Sequence, residues 1–99
     1  MNDETIESIC QWADETFGVC TLDAARNRVR SEYQEFHEAV STKDIIEEAA
    51  DVWITLARIP GLQEAVNAKM RVNRSRRWRS NGDGTGQHIK DYDERESNP

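Results

Sequence analysis

Apolar residues recur three or four positions apart over most of the chain, and this period predicts four helices. Spacing of this kind places the apolar side chains of each helix on one face. Gly18 is expected to end the first helix, and Pro60 with Gly61 to end the third. The predicted helices cover residues 3–17, 21–40, 42–59 and 62–78.

Capping residues indicate where these helices begin. The expected caps are Asp3 for the first helix, Thr21 or Asp23 for the second, and Ser41 (with Asp44) or Thr42 for the third. Only a short turn joins the second and third helices, so they are expected to pack antiparallel, apolar stripe against apolar stripe.

Two pairs of carboxylates lie on these two helices: Glu32 with Glu35, and Glu48 with Asp51. At 100° per residue, the two members of each pair lie about 60° and about 120° to the same side of their apolar stripe. In an antiparallel pair of helices the four acids are expected to converge, and like charges so placed require cations. The sequence therefore predicts a divalent-metal site. The alternative is that these are ordinary solvated acids on helix surfaces.

Composition limits the class of protein. Apolar residues make up 36% and charged residues 32% of the 99-residue chain. We expect one small domain over residues 1–90 with a charged, disordered tail at 91–99, and a core small enough to favour oligomerisation. No apolar run approaches the roughly 20 residues of a membrane span, and no signal peptide is visible, so a cytoplasmic location is expected. Cys10 and Cys20 match no metal or redox motif.

Charge is distributed unevenly along the chain. The net charge of -6 argues against nucleic-acid binding by the chain as a whole. Residues 65–80, however, hold six basic side chains and no acid. On the predicted fourth helix, Lys69, Asn73 and Arg76 continue the apolar line of the first turns and are expected to face inward. They are candidates for binding an anion; the alternative is a cationic cluster that complements the helix dipole.

Two further stretches are less specific. Trp12 and Phe17 fit a core, a subunit interface or a base pocket, and packing is the favoured interpretation. The segment GDGTGQH, residues 82–88, lacks the GK[ST] ending of a phosphate-binding loop and is predicted to be flexible and rich in turns. His37 faces away from the acids and is interpreted as structural, whereas the role of His88 stays open.

The ordered set of motifs resembles the MazG-like family of all-α nucleoside triphosphate pyrophosphohydrolases, especially its short single-domain phage and bacterial members. The resemblance rests on ExxE at Glu32–Glu35, on ExxD at Glu48–Asp51, and on the K-x3-N-x2-R pattern of Lys69, Asn73 and Arg76. QWADETFG at residues 11–18, and NRSRRW with GDGTGQH near the end, are also similar. The resemblance covers most of residues 11–89.

The resemblance implies a four-helix MazG-like bundle, completed by assembly into a homodimer or homotetramer. It implies Mg²⁺, with Mn²⁺ as a substitute, and attack at the α-phosphorus of a (deoxy)nucleoside triphosphate, with dATP or dGTP as expected substrates. Two ions, if both bind, should lie roughly 4 Å apart. In this chain the implied metal ligands and catalytic residues are Glu32, Glu35, Glu48 and Asp51, and the implied substrate-binding residues are Lys69, Asn73, Arg76, Trp12 and His88. A phage-encoded protein would act in the host cytoplasm.

Two other classes fit the sequence less well. A carboxylate-bridged di-iron bundle requires E-x-x-H steps, but Gln34 stands three residues before His37. A non-catalytic phage regulator could bind nucleic acid through the arginine-rich fourth helix. That function would leave the paired acids unexplained, since they would repel phosphate, so no nucleic-acid partner is expected.

Overall fold

Four helices and one short hairpin make up most of the protein in a computed structural model, which describes residues 3–90. The elements are α1 (Ile6–Phe17), α2 (Leu22–Glu38), α3 (Thr42–Leu56), α4 (Leu62–Ser75), β1 (Trp78–Ser80) and β2 (Gly86–His88). The chain is thus mostly helical, as predicted, with one small antiparallel strand pair. No helix in residues 3–90 is long and apolar enough to cross a bilayer. The predicted tail at 91–99 lies outside the described residues.

A capping box begins α1. The Oγ1 of Thr5 accepts a hydrogen bond from the Ser8 amide at 3.0 Å, and the Thr5 amide donates to the Ser8 Oγ at 2.7 Å. The predicted cap, Asp3, is therefore wrong, and α1 starts three residues later than expected. At the other end, Gly18 has a φ of 87° and donates its amide to Asp14, so it ends α1 as predicted.

α2 and α3 form an antiparallel helical hairpin. Thr21 and Ser41 cap them, each accepting a backbone hydrogen bond at 3.1 Å. Only three residues separate α2 from α3, and this pair makes the most extensive interhelical packing among the described residues. α2 ends at Glu38 and α3 at Leu56, two and three residues before the predicted ends.

The core of this part of the chain is small. Among the described residues, four apolar side chains are buried: Ile9, Ala13, Ala25 and Ala57. α1 contributes two of them and lies against α3, where Ile9 and Trp12 line a groove with Ala50 and Trp53. Three of the four buried residues are alanines, and many larger apolar side chains of the amphipathic helices are exposed.

Residues up to Gln63 form one compact unit, and residues from Glu64 form a second. This boundary falls within the single domain predicted over 1–90. In the second unit, α4 ends at Ser75, three residues before the predicted end at Trp78, because the chain enters β1. β1 and β2 pair antiparallel, with Trp78 opposite His88. The segment 82–88, predicted to be flexible and rich in turns, supplies the turn and the second strand of a hairpin.

Side-chain and backbone hydrogen bonds order the hairpin turn. Gly82 and Gly84 have φ values of 88° and 91°, which favour glycine at both positions. Asp83 accepts hydrogen bonds from the amide and hydroxyl of Thr85, and these bonds lower the pKa of the Asp83 carboxyl. The Trp78 indole donates to the Asn73 carbonyl at 2.7 Å and so fastens the hairpin to the end of α4.

Candidate functional site

Three carboxylates converge between α2 and α3. Glu32 on α2 and Glu48 and Asp51 on α3 each offer an oxygen, and these oxygens lie within 4.8 Å of one another. Glu32 is buried, Glu48 half-buried and Asp51 exposed. The same-side placement predicted from the helical angles therefore holds for these three, which we call the acid cluster.

The acid cluster carries negative charge into a partly desolvated position. Burial raises the pKa of the Glu32 carboxyl; a hydrogen bond with Glu35 and the charges of Glu35 and Asp51 raise it further, while Arg28 opposes them. Burial also raises the pKa of Glu48, and the charges of Asp51 and Glu32 add to the effect. Repulsion of this kind is what a bound cation would relieve.

Glu48 has an incomplete set of hydrogen bonds. Its Oε2 atom is fully buried, and nothing within residues 3–90 donates a hydrogen bond to it. A buried carboxylate oxygen without a donor is costly, and native proteins usually satisfy such atoms with a protein group, water or an ion. This atom lies in the side chain that also faces Glu32 and Asp51, so the unmet requirement is at the acid cluster itself.

Glu35 stands apart from the three. It lies one turn after Glu32 on α2, is exposed, and contacts the Glu32 carboxyl, but it is not among the oxygens within 4.8 Å. Its assignment as a fourth metal ligand stays a prediction.

A cavity of about 580 Å³ opens beside the acid cluster. Its lining combines two acids, two cations and two aromatic rings: Glu32, Asp51, Arg28, Arg58, Trp12 and Phe17. The rings of Trp12 and Phe17 meet edge to face, with centroids 5.6 Å apart. Trp12, predicted as a substrate-binding residue, thus lies at the same cavity as two members of the acid cluster.

Arg58 connects the end of α3 to the end of α1. Its Nη2 atom donates to Asp14 Oδ1 at 3.2 Å and to the Gly18 carbonyl at 2.6 Å. The guanidinium is largely buried, and its Nε has no acceptor among the described residues. These bonds hold α1, and with it Trp12, against the α2–α3 hairpin.

The other predicted substrate-binding residues lie in the second unit. Lys69 and Asn73 are on α4, and Arg76 follows it; the side chains of Lys69 and Arg76 are exposed. His88 is on β2, with its ring centroid 5.9 Å from that of Trp78. The roles assigned to these four residues stay predictions.

Sequence reasoning missed Arg28 and Arg58. Arg28 stands four residues before Glu32, a spacing typical of helical ion pairs, and its Nη2 lies 2.7 Å from Glu32 Oε1. That signal was available in the sequence. No such signal marked Arg58, because its partners Asp14 and Gly18 lie 44 and 40 residues away along the chain.

The acid cluster suits a hard divalent cation. Its donors are carboxylate oxygens, which Mg²⁺ and Mn²⁺ prefer, and one buried oxygen has no hydrogen-bond donor within residues 3–90. Three carboxylates from two packed helices also leave coordination positions for water or substrate oxygens. The residues present therefore fit such an ion.

Comparison of this chain with models of protein families, with curated proteins and with solved structures finds no match. The resemblance to the MazG-like family accordingly stays a prediction based on motifs.

Proposed function

We propose that this protein is a Mg²⁺-dependent nucleoside triphosphate pyrophosphohydrolase. One observation carries the proposal: an acid cluster, with a buried oxygen that has no donor among the described residues, borders a cavity that arginines and aromatic rings also line. Metal-binding acids, phosphate-binding cations and flat apolar surfaces are the three things that a metal–nucleotide complex requires. The motif resemblance implies the same chemistry.

Each residue has a role in this proposal. Glu32, Glu48 and Asp51 would hold Mg²⁺, which when bound would polarise the phosphate and lower the pKa of a bound water. Glu35, exposed beside Glu32, would accept the proton of the attacking water. Trp12 and Phe17 would pack against the nucleoside.

Cationic side chains would balance the charge of the triphosphate. Arg28 and Arg58 line the cavity itself. Lys69, Asn73 and Arg76 are assigned to the β- and γ-phosphates by the motif resemblance. Stabilising the departing pyrophosphate favours cleavage at the α-phosphorus, with a nucleoside monophosphate as the other product.

Assembly into a homodimer or homotetramer belongs to the proposal. Large apolar side chains are left unusually open to solvent: Val40 is 90% exposed, Val19 85% and Ile46 64%. A core of one isoleucine and three alanines in the described residues is small for a chain of 99. A second copy of the chain would cover this surface.

A panel of ribo- and deoxynucleoside triphosphates with Mg²⁺ tests the proposal, with products separated by chromatography. We expect monophosphate and pyrophosphate from at least one substrate, with a deoxypurine triphosphate favoured. Glu48→Gln should reduce turnover at least about 100-fold, because it removes the charge of a ligand whose Oε2 atom is buried. The matched control is Glu47→Gln, since Glu47 is exposed and pairs with Lys43 instead. Equal activity of the two variants would contradict the proposal.

A further inference from the structure

Arg28 forms an ion pair with Glu32 of the acid cluster, and neither the motifs nor the proposed mechanism explains this pair. Its Nη2 lies 2.7 Å from Oε1 of Glu32, the most buried member of the cluster. The Glu32 side chain is 9% exposed, whereas that of Arg28 is 66% exposed. An exposed cation is thus paired with a buried anion.

If the Glu32 carboxylate binds Arg28 and a metal ion at the same time, the two cations repel each other. A cation bound by Glu32, Glu48 and Asp51 would lie within a few ångströms of the guanidinium, and like charges at that distance repel. Arg28 is the exposed, long side chain of the pair, so it is the group that can move. Arg28 also lines the cavity beside the cluster, so a phosphate bound there would be within its reach.

We infer that Arg28 is an exchangeable counterion, which neutralises Glu32 before the metal binds and transfers to a substrate phosphate when the metal takes its place. This inference rests on the proposed function. Arg28 therefore opposes the binding of metal alone and favours the binding of metal with triphosphate. Coupling between two ligands is reciprocal, so the factor by which bound metal tightens triphosphate binding equals the factor by which bound triphosphate tightens metal binding.

The same helix offers a matched control. Arg30 has the same charge, lies two residues away and lines a different pocket with Asp23, Arg26 and Asn27. About 200° around the helix separates Arg28 from Arg30, so Arg30 faces away from Glu32. Arg28→Gln and Arg30→Gln change the net charge equally, and the difference between them isolates the contact with Glu32.

Electron paramagnetic resonance of Mn²⁺ with the full-length protein gives the first readout, without nucleotide. We expect Arg28→Gln to bind Mn²⁺ about fivefold more tightly than wild type, the upper range for an exposed ion pair. Arg30→Gln should stay within about twofold of wild type. Arg28→Lys, which keeps the charge but loses the planar fork, should fall between wild type and Arg28→Gln.

Calorimetric titration with α,β-imido-dATP in saturating Mn²⁺ gives the second readout. Arg28→Gln should bind this analogue about tenfold more weakly than wild type, while Arg30→Gln should not differ. Circular dichroism confirms that each variant is folded. The opposite signs of the two effects, tighter metal and weaker nucleotide, are specific to an exchanging counterion.

The outcomes separate this inference from the proposed function. If wild type binds Mn²⁺ and hydrolyses triphosphate but Arg28→Gln matches Arg30→Gln in both titrations, the counterion role is refuted and the function stands. If Arg28→Gln weakens Mn²⁺ binding, the counterion role is likewise refuted. If wild type does not bind Mn²⁺ at all, the proposed function and the role of Arg28 both fail.

Discussion

Replacement of Arg58 by leucine should destabilise the protein by loosening α1. Arg58 Nη2 makes two charge-assisted hydrogen bonds, to Asp14 at 3.2 Å and to the Gly18 carbonyl at 2.6 Å. Leucine fills part of the same space but makes neither bond. The helices themselves keep their caps and their periodic apolar faces, so the change acts on the docking of α1 and not on helix formation.

The size of the expected loss in stability follows from the exposure of the Arg58 and Asp14 side chains. Hydrogen bonds to charged groups contribute about 1.5–3 kcal/mol each when well shielded. The Arg58 side chain is 18% exposed and that of Asp14 is 36% exposed, so solvent screens their ion pair and the lower end applies. Leucine also removes the buried Nε, which has no acceptor in the described residues, and this offsets part of the loss. We expect a net loss of about 1–2 kcal/mol, or a melting temperature lower by about 5–15 °C.

Thermal denaturation followed by circular dichroism, at one protein concentration and without divalent metal, measures this loss. A double-mutant cycle with Asp14→Asn should give a coupling of about 0.5–1 kcal/mol that declines in high salt. Arg30→Leu is the control, because Arg30 lies on a separate surface pocket. A melting temperature for Arg58→Leu that equals that of Arg30→Leu, or zero coupling to Asp14, would refute the docking role.

Three further predictions address the acid cluster, the second unit and assembly. Burial raises the folded-state pKa of Glu48, so the folded protein binds more protons than the unfolded protein does. Without metal, the free energy of unfolding should therefore fall as the pH rises from the pKa of an unfolded glutamate through the raised pKa of Glu48. Denaturation measured across that pH range should show a smaller fall for Glu48→Gln. Arg76→Ala should lower kcat/KM for triphosphate at least about tenfold more than Arg71→Ala, measured by steady-state kinetics, and similar losses would refute the assignment of Arg76 to the phosphates. Multi-angle light scattering should give a dimer or larger species, and an active monomer at low concentration would contradict assembly.

Much of the helical hairpin was predictable because its determinants are local. The period of the apolar residues fixes which faces of α2 and α3 meet, and a three-residue link between them requires an antiparallel pair. The placement of Glu32, Glu48 and Asp51 follows from those two facts. Glu35 shares the sequence pattern, but its exposure and its contact with Glu32 depend on side-chain positions that periodicity does not specify.

The parts that were not predicted depend on short or distant interactions. β1 and β2 have three residues each, too few for an alternating pattern, and the turn between them is specified by Asp83 and Thr85. α1 begins three residues later than the sequence predicts, because Thr5 and Ser8, and not Asp3, cap it through a reciprocal pair of hydrogen bonds. The hydrogen-bond partners of Arg58 lie 40 and 44 residues away along the chain, and no local pattern in a single sequence predicts such contacts.

The bond that is cut tests the central claim most directly. Triphosphate should be hydrolysed in ¹⁸O-labelled water with Mg²⁺ present, and the products analysed by mass spectrometry. Attack at the α-phosphorus, as the acid cluster and its cationic neighbours are proposed to direct, predicts one ¹⁸O atom in the nucleoside monophosphate and none in the pyrophosphate. Label in the pyrophosphate, or release of orthophosphate with a nucleoside diphosphate, would contradict the account.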